Sequence, residues 1–175
     1  MKRLSILLGL VIVAGLVSLS FGGNPDTITL KVTPISNVSV NIIQTEYNYG
    51  NLALNNATAV STAIQVENDG DVQTSWQHNA GNAIGGTSTW TLVFAGSAAG
   101  TDEFRLWAEV AAIEPGSFPE TDKVTDTASD LTSGSNVAAG EQRNLWIKLE
   151  MPLAVTGADG DIEHSCIYTI TAQAD

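Results

Sequence analysis

The chain has 175 residues and carries 7 basic against 19 acidic side chains, a net charge of −12. A field of that sign repels nucleic-acid phosphates and anionic membranes, which excludes nucleic acid as a partner. With one cysteine, Cys166, no intramolecular disulfide can form, so core burial and strand pairing must hold the fold together.

The first 23 residues have their own character. Lys2 and Arg3 precede an uncharged apolar run that starts at Leu4, and Ser18, Ser20, Gly22 and Gly23 supply small residues for cleavage. This is the layout of a secretory signal peptide. The alternative, an uncleaved anchor, meets a run that barely reaches the roughly 18 residues a span needs and is broken by serines and glycines. No Cys follows the run, which excludes a lipoprotein anchor. The expectation is a protein secreted to the cell surface or outside the cell, with no stable membrane insertion after cleavage. Residues 24–175 remain, a length that suits a single domain.

Beyond the leader the pattern has period two. Ile28, Leu30 and Val32 alternate with Thr29, Lys31 and Thr33 ahead of Pro34. The alternation returns in Val38–Ile42, Val60–Val66, Val72–Trp76, Trp90–Phe94, Phe104–Val110, Leu145–Met151 and Ile162–Ala172. Such runs of Val, Ile and Thr mark half-buried strands, and no segment sustains a helical stripe. About eight short strands separated by Gly- and Asn-rich joints predict an all-β fold, an antiparallel β-sandwich of immunoglobulin-like type. Residues 114–142 break the rhythm. They are polar, hold Pro115 and Pro119, and are expected to form a long surface loop, with a short edge strand around Lys123 as a variant.

Two acidic clusters invite a metal reading. In the first, Asp69-Gly70 lies between two alternating runs, so a hairpin turn with Glu67 and Asp71 as solvated flanks is expected. The rival is a calcium site pooling Asp69 and Asp71 with Asp159 and Asp161 of the second cluster, but the spacing lacks a closing glutamate. No cofactor is expected. Catalysis has little to work with. The imidazoles are His78 and His164, and neither a G-x-S-x-G elbow, a His-Glu-x-x-His pair nor a phosphate loop is present. A non-enzymatic protein is therefore expected.

The tryptophans divide by register. Trp76 and Trp90 fall on the apolar side of their runs. Trp107 shares its side with Arg105 and Glu109, and Trp146 shares its side with Lys148 and Glu150. Alternation places Trp107, Trp146, Arg105 and Lys148 on a polar face, as a cross-strand pair, a subunit contact or a platform for sugar rings.

Trp90-Thr91-Leu92, with the lead-in Tyr47-Asn48-Tyr49-Gly50, resembles the Trp-x-Leu motif of cell-wall-binding WxL domains. At the place of that family's second motif this chain reads Tyr168-Thr169-Ile170. The resemblance implies a bacterial surface sandwich with cell-wall polysaccharide as partner. A second resemblance is to exported filament subunits that donate an N-terminal strand to the next copy, and it implies Ile28, Leu30 and Val32 as assembly residues and the protein itself as partner. Pairing of that strand with its own sheet satisfies the same backbone groups and is the default expectation. The leading expectation is a non-catalytic structural or adhesive surface protein that assembles through an edge strand. The alternative is a carbohydrate- or cell-wall-binding module using the tryptophans.

Overall fold

The computed structural model describes residues 28–96, 98–157 and 161–175. The 1–23 leader and Asp159 therefore lie outside the described residues. The chain divides into two units, Met1–Pro34 and Ile35–Asp175. In the first, residues 28–34 form neither helix nor strand, and Ile28, Leu30 and Val32 are 82%, 84% and 92% exposed. The expected first strand therefore has the right alternation without being paired.

The second unit is almost all β, as period two requires. Its strands are β1 (Asn41–Ile42), β2 (Thr58–Val60), β3 (Ile64–Glu67), β4 (Thr74–Ala80), β5 (Ala83–Gly85), β6 (Ser88–Leu92), β7 (Glu103–Val110), β8 (Ser129–Asp130), β9 (Gln142–Glu150) and β10 (Tyr168–Ala174). One sheet runs β1-β3-β9-β7-β6-β5, with β2 also against β9; the other runs β10-β4-β8. Pairing is antiparallel except between β6 and β7, where Thr91 and Leu92 lie parallel to Glu103 and Phe104. That pair corrects the all-antiparallel expectation, and ten strands among the described residues replace about eight. The run at 28–32 drops out, the Val60–Val66 run divides into β2 and β3, and the short β5 and β8 are added, whose sequences carry no alternating apolar set. No helix among the described residues is long and apolar enough to cross a membrane.

The core lies between the two sheets. Ile64, Val66, Phe104, Leu106, Ala108, Val110, Leu145 and Ile147 face Trp76, Ala80 and Ile170. These are the inward positions that alternation marks, and full burial of each large one contributes about 1.5–3 kcal/mol. β9 takes β2 along its end and β3 along its beginning. Between them the buried Ser61 keeps the ladder continuous, its amide donating to Ile147 O (2.8 Å) and its Oγ accepting from Ile147 N (2.9 Å).

Two expectations are corrected at the connections. The Asp69-Gly70 turn does not close a hairpin, because β3 pairs β9 whereas β4 pairs β10 and β8. It is an arch that carries the chain from one sheet to the other. Buried Asn68 organises it. Its Nδ2 donates to Val72 O and Val137 O, both at 2.8 Å, and its Oδ1 accepts from Gly70 N at 3.1 Å. Gly70 sits where a Cβ would lie 2.5 Å from Asn37 O, so only glycine fits.

Residues 114–142 are also more than a surface excursion. Val124, Leu131 and Val137 are buried and anchor the segment in the core. Its backbone bonds to both sheets: Val124 N to Leu106 O, Val110 N to Thr132 O, Leu131 N to Trp76 O, and Thr74 and Val137 to each other. It completes the edges of β7 and β4 at once and joins the sheets along that side. Three well-spaced apolar residues do this work without any regular period.

His78 faces the core from β4, with Nδ1 2.9 Å from Tyr168 OH on β10. Burial lowers its pKa below 6.5, against a smaller opposing pull from Asp122. The unfolded chain then takes up a proton before the folded one, so stability is retained above pH 6.5 and lost as pH falls below it. Urea midpoints measured from pH 7.5 down to 5 should decline more steeply in the parent protein than in His78→Phe, and parallel declines would contradict this.

Candidate functional site

The tryptophan face can be built from the register of β7 and β9. Trp107 lies opposite Lys148, and Trp146 opposite Glu109, so the indoles are diagonal neighbours rather than a facing pair. An isolated bridge from the 114–142 segment sets Lys123 beside Trp107 on the other edge. Three of the seven basic residues thus surround one indole: Lys148 Nζ is 4.4 Å from the ring centroid, the Arg105 guanidinium 4.9 Å and Lys123 Nζ 5.8 Å. Cations over an indole face are attracted by its quadrupole, and their aliphatic stems cover the ring.

The result corrects the expectation of an open polar face. Trp107 is 3% exposed and Arg105 is buried with it. The reason is that β7 has covers on both of its faces. Its even-numbered residues enter the sandwich core. On the odd-numbered side Arg105 Nη1 and Lys123 Nζ both donate to Gly96 O, at 3.1 and 3.3 Å. Arg105 also makes a two-point ion pair with Glu150, Nη2 to Oε2 at 2.5 Å and Nε to Oε1 at 3.1 Å. Lys123 pairs with Glu120. Trp146 and Lys148 stay half-exposed, and the Trp146 indole N–H donates to Ala111 O at 3.0 Å. Of the four contact candidates, two are inside and two are partly outside.

An acidic contact flanks this cluster. Asp122 is buried and accepts from Thr132 Oγ1 at 2.6 Å, while its Oδ2 has no hydrogen-bond partner among the described protein groups. Glu109 stands against it. Burial, then the Asp122 charge and a hydrogen bond to Asp122, raise the Glu109 pKa above 4.5. The folded state therefore holds a proton that the unfolded chain releases, and this contribution is present at low pH and lost as pH rises through the raised value. Relative to the parent, Glu109→Gln should gain in urea midpoint as pH rises from 4.5, and a difference between the two proteins that does not change with pH would refute the carboxyl contact.

The acidic clusters form no common site among the described residues. Asp69 is exposed, and Asp71, also exposed, uses Oδ1 to accept from Asn37 N at 2.6 Å. Asp161 is exposed, and Asp159 is outside the described residues. Among the described residues no three His, Cys, Asp or Glu groups are placed to hold a metal ion.

The Trp-x-Leu motif serves the interior: Trp90 and Leu92 are both buried. The Trp90 indole stacks on the His164 imidazole, with centroids 3.9 Å apart and planes 11° off parallel. Cys166 is half-buried against the core, and burial raises its thiol pKa.

Sequence reasoning placed the inward residues of β4, β6, β7 and β9 correctly. It missed Asn68, a polar side chain whose burial depends on the distant 114–142 segment, and Asp122, buried within that segment. It named the residues at positions 28, 30 and 32, and the structure leaves them uncovered. No protein-family model matches the chain, and no curated protein matches it at a significant level.

Proposed function

We propose that this chain is a non-catalytic structural or adhesive subunit, exported after removal of residues 1–23, that assembles with copies of itself at the cell surface. In this reading the second unit is an immunoglobulin-like sandwich and the residues before Pro34 are a strand that another copy completes. The supporting observation is the exposure of Ile28, Leu30 and Val32, at 82–92%. An alternating segment left in water hides no apolar area and satisfies no ladder, whereas pairing with a sheet edge does both. Without Lys2 and Arg3 the processed chain has 5 basic against 19 acidic residues, and this net charge of −14 keeps such subunits soluble before they meet.

Light scattering of the processed protein across concentration tests the reading. Particles larger than a monomer are expected, and Ile28→Ser/Leu30→Ser/Val32→Ser should return them to monomers with the far-ultraviolet dichroism unchanged. A parent protein that stays monomeric throughout would overturn it. The polysaccharide alternative retains half-exposed Trp146 and Lys148 but not Trp107. Cell-wall pull-down that is lost in Trp146→Ala would favour that alternative.

A further inference from the structure

We propose that the acceptor for the 28–33 strand is the outer edge of β10 in a second copy. The inference rests on the assembly reading above and adds to it where the strand docks.

The β10 ladder can be read bond by bond. Gly81 N donates to Ile167 O and Asp175 N to Gln73 O. In an antiparallel pair the hydrogen-bonded positions alternate, so Thr169, Thr171 and Gln173 direct their backbone groups at β4. Tyr168, Ile170, Ala172 and Ala174 direct theirs the other way. β10 ends its sheet on that side, with no strand beyond it among the described residues. β4 obeys the same parity, since Thr74, Trp76 and Ala80 bond to the 114–142 segment.

This edge differs from the others in length and in lack of protection. β10 has seven residues, whereas β1 has two and β5 three. Natural edges are guarded by Lys, Pro, bulges or brevity. The β10 sequence YTITAQA has no charge and no proline.

The incoming segment matches in parity and polarity. Strand addition puts side chains of like orientation next to each other. Laid antiparallel, Ile28, Leu30 and Val32 then lie opposite the core-facing Ala172, Ile170 and Tyr168 respectively, of which Tyr168 and Ala172 are incompletely covered. Thr29, Lys31 and Thr33 lie opposite the exposed Thr171, Thr169 and Ile167. Pro34 lacks an amide donor and ends the pairing there. The occupant is therefore a second copy's residues 28–33.

Cross-linking of the processed protein in a Cys166→Ser background tests this. Copies bearing Thr29→Cys are mixed with copies bearing Thr171→Cys, and separately with copies bearing Asn41→Cys on β1. The 29–171 disulfide between copies should exceed the 29–41 product by about tenfold. In parallel, Ala172→Pro removes only an amide that points away from β4. It should abolish assembly and leave the dichroism and melting midpoint close to those of the parent. Should that variant fail to fold, the cross-link decides alone. Assembly that persists with cross-linking to Asn41→Cys overturns the β10 acceptor and leaves the assembly reading standing. Ring closure within one chain carrying both Thr29→Cys and Thr171→Cys, at high dilution, overturns the second copy as occupant. A parent protein that never assembles removes both proposals.

Discussion

Glu150→Gln should lower the unfolding free energy by about 3–5 kcal/mol, because it leaves the buried Arg105 guanidinium without its counter-charge. For a domain of this size that is a drop in melting midpoint on the order of 10 °C. The carboxylate is held from several directions: Arg105 Nε and Nη2, the Ala99 amide at 2.8 Å and Asn56 Nδ2 at 3.4 Å. Burial works to raise the Glu150 pKa, but the Arg105 and Ala99 hydrogen bonds outweigh it and hold the carboxyl below 4.5. Its contribution is thus present above pH 4.5 and lost as pH falls through the lowered value. Urea unfolding followed by tryptophan fluorescence checks both statements. The paired change Arg105→Met/Glu150→Leu should regain part of the loss, since two apolar groups leave no orphan charge. A Glu150→Gln protein within 1 kcal/mol of the parent would show that water reaches the pair.

Asn68→Leu should cost about 2–4 kcal/mol, the second large effect. Leu fills a similar volume but removes the donors to Val72 O and Val137 O and the acceptor for Gly70 N. Asn68→Asp isolates the cause. It keeps the acceptor but sets a carboxylate against two carbonyl oxygens, so it should be at least as damaging at pH 7 and recover in part once acid protonates it. Thermal melts at pH 7 and pH 4 separate the two variants, and equal mild losses in both would mean the arch does not depend on this amide.

These two residues show why the sequence disclosed the sheets better than their connections. Period two is a local property, so the inward sides of β4, β7 and β9 are legible from a few neighbours: Trp76 and His78, Leu106 and Ala108, Leu145 and Ile147. Which strands pair is a long-range matter. The Asp69-Gly70 turn carries a hairpin signature, yet β9 competes for β3 and β10 competes for β4, and the longer ladders prevail. Trp107 misled for a related reason. Its neighbours Arg105 and Glu109 imply water, but the 114–142 segment and Gly96 cover that side, and ion pairing makes the burial of Arg105 and Lys123 tolerable. The anchors Val124, Leu131 and Val137 are spaced at seven and six residues, too far apart for a periodicity to register. The alternation at positions 28–32 was legible, but not its lack of a partner, because pairing depends on a sheet edge that the segment itself does not reveal.

Strand order also bears on how the molecule is made. Ile64 pairs with Leu145, and Thr74 pairs with Ala174, a hundred residues further along the chain. Neither partner exists while the ribosome is still working through the first half of the message. Contacts this distant along the chain make for slow folding, and here they also set its earliest moment. The two sheets therefore cannot be completed on a half-made chain, and whatever forms earlier lacks the strands that close it.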